Sequence, residues 1–263
     1  MRLIFIRHAQ PDYSIDGLTE KGKREAELLA ARTAKWDVDR FYCSPLGRAR
    51  DTAAPTLKVH NAEATVYDWL QEFNYRVADP FTGEMRVPWD YFPEFFTTQP
   101  LMLDPEKWYE SDIYKTNPEV KSKWFEVCNG LDEILASYGY TRNGKYYDYK
   151  NPDGAQLPAE IDDIQTHGTK EYEVRDEDDN RTIVFFCHLG VECVMLAHLL
   201  SVSPVTLWHG SFVAPSSVTV VNAEKRYHNQ AFFRVQALGD TAHLYAAGES
   251  VSGFGAFSTV FSK

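Results

Sequence analysis

The sequence predicts an α/β protein, a three-layer α/β/α sandwich with a mostly parallel central sheet and a large aromatic-rich insertion. Two observations carry this expectation. First, short apolar runs at residues 2–6, 40–43 and 182–187 each give way at once to polar residues and then to a helical pattern, the alternation of a sheet covered by helices on both faces. Second, the texture of the 263-residue chain changes in the middle. Residues 67–149 hold more than half of its Phe, Tyr and Trp and are broken by Pro80, Pro88, Pro93, Pro100, Pro105 and Pro118. Periodic segments there are few and short, so residues of about 76–180 read as an insertion on one domain spanning 1–263, serving as a lid, as packing, or both.

Residues 2–6 form a buried strand that stops at Arg7-His8. A polar turn over 12–17 follows, and Thr19 then caps a helix in which Ala26, Leu29, Ala30 and Thr33 recur at helical spacing. Residues 40–43 form a second strand. Ser44-Pro45 supplies a cap and a first-turn proline, and that helix should stop near Ala54, ahead of Pro55. Residues 182–187 are the strongest strand, running into His188-Leu189-Gly190 and an apolar helix over 191–200. Residues 217–221 and 232–238 should pair as a hairpin at one side of the sheet, around a turn over 222–226. The charged stretch 171–181 reads as a solvated loop or hairpin tip.

With 27 Lys and Arg against 38 Asp and Glu, the net charge is −11, which argues against nucleic acid or an anionic membrane as a partner. No apolar run of about 18 residues suggests a transmembrane helix, and Leu3-Ile4-Phe5-Ile6 is too short an apolar core for a signal peptide. Cys43, Cys128, Cys187 and Cys193 form no disulfide framework, so a cytoplasmic location is expected. Cys43 and Cys187 read as small core residues. Oligomeric state leaves no signature.

Three segments follow strand ends directly: Arg7-His8-Ala9-Gln10, Ser44-Pro45-Leu46-Gly47-Arg48 and His188-Leu189-Gly190. In a parallel sheet the carboxyl ends of strands share one edge, where ligands bind. Arg7, His8, Arg48 and His188 should therefore converge, and two arginines with two imidazoles suit a phosphoryl dianion. The other histidines (His60, His167, His198, His209, His228, His243) show no metal-ligand spacing, so no metal and no organic cofactor are expected.

These residues carry a resemblance. Arg7-His8 after the first strand, Gly17-Leu18-Thr19 with Gly22, the run from Ser44 through Ala53, Val184-Phe185-Phe186-Cys187-His188 and Gly239-Asp240-Thr241-Ala242-His243-Leu244 resemble the histidine phosphatase superfamily. That group includes the cofactor-dependent phosphoglycerate mutases. The resemblance implies a metal-independent hydrolase acting on a small phosphomonoester, with His8 as nucleophile and Arg7, Arg48 and His188 holding the phosphoryl group. It implies auxiliary phosphate contacts from Gln10 and Ser14. Leu70-Gln71-Glu72-Phe73 matches the context of the family's general acid, giving Glu72 that role, with Glu63, Asp68 and Glu84 as alternatives. Ala9 stands where the family most often has Gly. A phosphomutase on the same site, and a non-catalytic phospho-ligand module, are the alternative functions.

Overall fold

In the computed structural model, which describes residues 1–152, 180–226 and 230–261, strand β1 (Arg2–Arg7) is buried at every position after Arg2. A short hairpin, β2 (Pro11–Asp12) and β3 (Gly17–Leu18), leads into helix α1 (Glu20–Thr33), whose cap Thr19 accepts the Gly22 N–H. Strand β4 (Arg40–Cys43), helix α2 (Gly47–His60) and strand β5 (Ala64–Val66) follow. The expected bounds of α2 are corrected at both ends. Its N-cap is Leu46, without a side-chain cap bond; the Ser44 hydroxyl is instead hydrogen-bonded to His188 Nε2 at 2.7 Å. The helix also continues through Pro55 to His60. The carbonyl that Pro55 cannot reach belongs to exposed Asp51.

The aromatic region opens with the pair β6 (Val77–Ala78) and β7 (Met85–Arg86) and two short helices, α3 (Pro93–Thr97) and α4 (Pro100–Leu103). It then holds helix α5 (Pro118–Ser137), 20 residues long, which contradicts the expectation of short periodic segments alone. The signal was present: Asn117 caps, Pro118 opens the first turn, and buried Val120, Trp124, Val127, Leu131 and Ile134 recur at helical spacing. The hairpin β8 (Tyr140–Asn143) and β9 (Tyr146–Tyr149) follows. Residues 171–179 of the charged stretch lie outside the described residues.

Strand β10 (Thr182–Cys187) is buried throughout and feeds helix α6 (Leu189–Leu200), then α7 (Pro204–Gly210). The late hairpin is β11 (Val218–Arg226) with β12 (Gln230–Asp240), and α8 (Ala242–Ala247) follows. Residues 222–226 are therefore strand, not turn. Ala223 pairs with Phe233 on the buried face, and Glu224 meets Arg234 across the strands at 3.2 Å.

The eight-stranded sheet runs β5-β4-β10-β1-β11-β12-β9-β8. Its first four strands are parallel, as the alternation predicts. The other half is antiparallel, because the late hairpin lies inside the sheet and the β8–β9 hairpin of the aromatic region extends it. Alternate residues of β1 face opposite layers. Ile4 and Ile6 pack with Leu29 of α1 and with Ala49 and Ala53 of α2, while Leu3 and Phe5 join the larger core of α5, α6 and the aromatic region.

Candidate active site

Three adjacent parallel strands end in step. Arg7 pairs with Cys187 in the β1–β10 register, and Cys43 pairs with Phe186 in the β10–β4 register. The ladder continues one residue past the strands: His8 N–H donates to Cys187 O at 2.9 Å and Ser44 N–H to Phe186 O at 2.9 Å. His8, His188 and Ser44 are thereby brought side by side from positions 180 residues apart. The rings of His8 and His188 lie 5.0 Å apart, tilted by 57°. All four cradle residues are enclosed: Arg7 is 3% exposed, His8 1%, Arg48 7% and His188 0%.

Each side chain is held by backbone or short polar partners. Arg7 donates from Nη1 to Val213 O at 2.7 Å and from Nη2 to Phe254 O at 3.0 Å, and its Nε is buried without a partner. Arg48 donates from Nη1 to Asp16 Oδ1 at 2.6 Å, and Asp16 Oδ2 accepts the Gly47 N–H at 2.7 Å. Position 47 must be glycine, because a Cβ there would overlap the Asp16 carbonyl oxygen. His8 Nδ1 lies 2.8 Å from Ala9 O. A carbonyl only accepts, so Nδ1 carries the hydrogen and Nε2 keeps its lone pair. Burial, with the positive charge of Arg7 and Arg48, holds His8 neutral by lowering its pKa well below the usual value. Burial also lowers that of His188, reinforced by His8, Arg48 and Arg7. Ala9 does not adopt a positive φ, so its Cβ brings no strain, and its N–H donates to Thr52 Oγ1 at 2.9 Å.

Glu72 follows the one-turn helix Asp68–Leu70 and reaches the start of α6. Its Oε1 accepts the Phe73 N–H at 2.8 Å and the Val191 N–H at 3.3 Å. Gly190 permits this approach, since a Cβ there would stand 2.5 Å from Glu72 Oε1 and 2.5 Å from Trp89 Cζ3. Burial raises the Glu72 pKa, opposed first by Arg7. Glu63, Asp68 and Glu84 are exposed, and Glu84 pairs with Arg86 at 3.5 Å. Gln10 and Ser14 are engaged elsewhere. The Gln10 amide donates to Ser252 Oγ at 3.1 Å and accepts from Thr19 Oγ1 at 2.8 Å, and exposed Ser14 donates to Asp12 Oδ1 at 2.6 Å.

Sequence reasoning missed several groups. Asp16 orients Arg48, and Ser44 orients His188. Ser216, in the left-handed region at φ 60°, donates its N–H to the carbonyls of Arg7 and His8; its hydroxyl meets His243 Nε2 at 3.1 Å. Glu192, one turn after His188, is buried. Burial pushes its pKa up to about 7, opposed first by the Thr219 hydroxyl and then by Arg7. Spacing alone marks only Glu192, on the same helical face as His188. Cys43 and Cys187 are buried, and burial pushes the Cys43 thiol up to about 12 and Cys187 well above its usual value, leaving both in the unreactive thiol form. Among the described residues no group of three or more His, Cys, Asp or Glu side chains is arranged to hold a metal; His167 and His228 lie outside them.

Comparison with known proteins adds the decisive observation: residues 3–107 match the model of the histidine phosphatase superfamily, branch 1. Over those residues the chain is similar to the histidine phosphatase superfamily. The matched residues include Arg7, His8, Arg48 and Glu72, whereas His188 lies beyond them. A probable phosphatase of Schizosaccharomyces pombe is 35% identical over 85 residues, which is 28% of this chain and 41% of that protein. A 2,3-bisphosphoglycerate-dependent phosphoglycerate mutase of Thermoplasma acidophilum is 43% identical over 60 residues, 19% of this chain and 30% of that protein. The chain thus spans less than half the length of these curated relatives. The fold is shared more widely: a mutant phosphoserine phosphatase of Entamoeba histolytica, in complex with phosphoserine, superposes with a TM-score of 0.56 at 16% identity. The superposition covers 92% of this chain and 98% of that one.

Proposed function

We propose that this protein hydrolyses a small phosphomonoester through a phosphohistidine on His8, without a metal. The carrying observation is the closed cradle in which neutral His8 faces His188 between Arg7 and Arg48. His8 Nε2 attacks phosphorus, forming the N–P bond as the ester P–O bond breaks. Glu72 gives its proton to the departing alkoxide, and its raised pKa supports that role. Water then attacks the phosphohistidine, Glu72 takes the proton back, and inorganic phosphate leaves.

Arg7 and Arg48 balance the negative charge on the phosphoryl oxygens. His188 adds a donor. Ser44 Oγ accepts the Leu46 N–H at 3.3 Å, and its own proton satisfies His188 Nε2. In that tautomer the unpartnered, buried Nδ1 carries a hydrogen for a phosphoryl oxygen. Gln10 and Ser14 contact phosphate only after leaving their present partners.

Hydrolysis is favoured over phosphomutation, because a retained second phosphate needs further positive charge and Arg86 of the aromatic region is taken up by Asp79, Glu84 and Asp90. The intact His8 and Glu72 favour an enzyme over a binding module. Four unpaired, buried cysteines support a reducing cytoplasm as its compartment. Among the described residues no helix is long and apolar enough to cross a membrane. The acidic surface disfavours nucleic acid as a partner.

The test is phosphate release from a panel of phosphomonoesters with EDTA present, together with trapping of an acid-labile phosphoprotein. The wild type should turn over and become labelled, and His8→Ala should do neither. Turnover that vanishes with EDTA, or labelling that survives His8→Ala, overturns the mechanism.

A further inference from the structure

We infer that the substrate's leaving group is flat, apolar and uncharged: an alcohol bearing an aromatic ring rather than a phosphorylated acid. This rests on the phosphatase reading above and concerns the part of the substrate that reading leaves open.

Rings wall the cradle. On the side of the proposed acid, Trp89 Cζ3 and Glu72 Oε1 each stand 2.5 Å from the same point above Gly190, so they lie no more than twice that distance apart. The indole edge therefore flanks the place where a leaving oxygen must sit to receive the Glu72 proton. Beside the arginines, the Tyr13 ring lies 5.2 Å from Arg48 Cζ and 5.4 Å from the Phe254 ring, and the Phe212 ring lies 5.7 Å from Arg7 Cζ. Arg48, Arg7 and Glu72 all act electrostatically on the Tyr13 hydroxyl, which puts this ring at the cradle. Tyr13 is 57% and Phe254 41% exposed. Large apolar side chains held open to solvent at the rim of a site are surface available for a ligand.

Charge points the same way. Arg7 and Arg48, both enclosed in the cradle, are needed by the two negative charges of the phosphoryl group. Arg86, three residues before Trp89, is surrounded by Asp79, Glu84 and Asp90 at 3.1, 3.5 and 3.6 Å. A carboxylate on the leaving group would meet Asp16, whose own charge is already paired with Arg48 at 2.6 Å. Such a contact repels the wrong substrate as effectively as the rings attract the right one.

The experiment compares three esters whose leaving groups are all alkoxides, so that intrinsic reactivity does not decide the outcome: benzyl phosphate, glycerol phosphate and 3-phosphoglycerate. The wild type should show kcat/KM for benzyl phosphate at least about a hundredfold above that for 3-phosphoglycerate. Trp89→Ala and Tyr13→Ala should each lower the benzyl-to-glycerol ratio of kcat/KM about tenfold. Tyr13 is exposed, so its variant tests the idea even if Trp89→Ala fails to fold. A preference for 3-phosphoglycerate, or a ratio untouched in Tyr13→Ala, overturns the inference while leaving the phosphatase standing. No release from any ester, and no label on His8, removes the phosphatase reading and the inference with it.

Discussion

At the carboxyl ends of β1, β4 and β10, the working side chains are positioned by individual hydrogen bonds: Arg7 to two backbone carbonyls, Arg48 to Asp16, His8 to Ala9 O and His188 to Ser44. In the aromatic region the positioning is by volume. Trp108 is fully buried, and Tyr114, Trp124 and Trp208 meet it edge-on at ring distances of 4.9, 5.4 and 5.5 Å, all three nearly at right angles. The difference teaches where each kind of residue matters. A hydrogen bond has direction, so the cradle can aim an imidazole but adds modest stability per contact. A packed ring has little aim, yet it removes much apolar surface from water. The proposed chemistry belongs to the first region, and much of the buried apolar surface to the second.

The largest effect expected is on chemistry alone. His8→Ala should lower phosphate release by about ten-thousandfold or more, with a cooperative urea transition retained. Trp108→Ala should do the reverse, costing about 3–5 kcal/mol in urea unfolding, while the protein that remains folded still forms phosphohistidine. A variant of the aromatic region that loses labelling without losing stability would break the contrast.

Glu192→Gln sharpens it within the cradle. The pKa of this buried carboxyl, about 7 when folded against an ordinary value of 4.5, lies above the unfolded one. Its stabilising contribution is therefore complete below 4.5 and lost as pH rises through 7. Gln cannot ionise, so the variant should be more stable than the wild type at pH 8, by up to about 3 kcal/mol. The difference should disappear below pH 4.5, as read from urea midpoints across pH. His8 and His188, with lowered pKa values, act oppositely: their contribution is present above 6.5 and falls away on acidification. The smallest effect is at Ser44. Ser44→Ala leaves His188 Nε2 unpaired and should cost about 1–2 kcal/mol, with a comparable loss in kcat/KM.

Much of the parallel half was legible because its signals are local. Thr19 caps α1 where its spacing indicates, and the apolar runs of β1, β4 and β10 lie at the expected positions. Ser44 misled because its hydroxyl has two possible partners, a helix start nearby in sequence and an imidazole 144 positions away. Residues 222–226 misled because a polar string reads as a turn until a cross-strand partner, here Arg234 for Glu224, is known. Helix α5 was legible and overlooked, its Asn117-Pro118 start obscured by the surrounding prolines.

The sequence by itself determined which chemistry was available. An Arg-His pair, a second arginine after a strand and a second histidine after another are covalent facts, and the end of a parallel strand is the same place in any sheet of this kind. Tertiary structure alone decided that Asp16 orients Arg48, that Glu192 lies buried behind the cradle, and that Trp89 stands beside Glu72. Those depend on which distant segments come within a few ångströms of each other. Hydrogen bonds and desolvation act only at that range, and no local pattern in the chain records it.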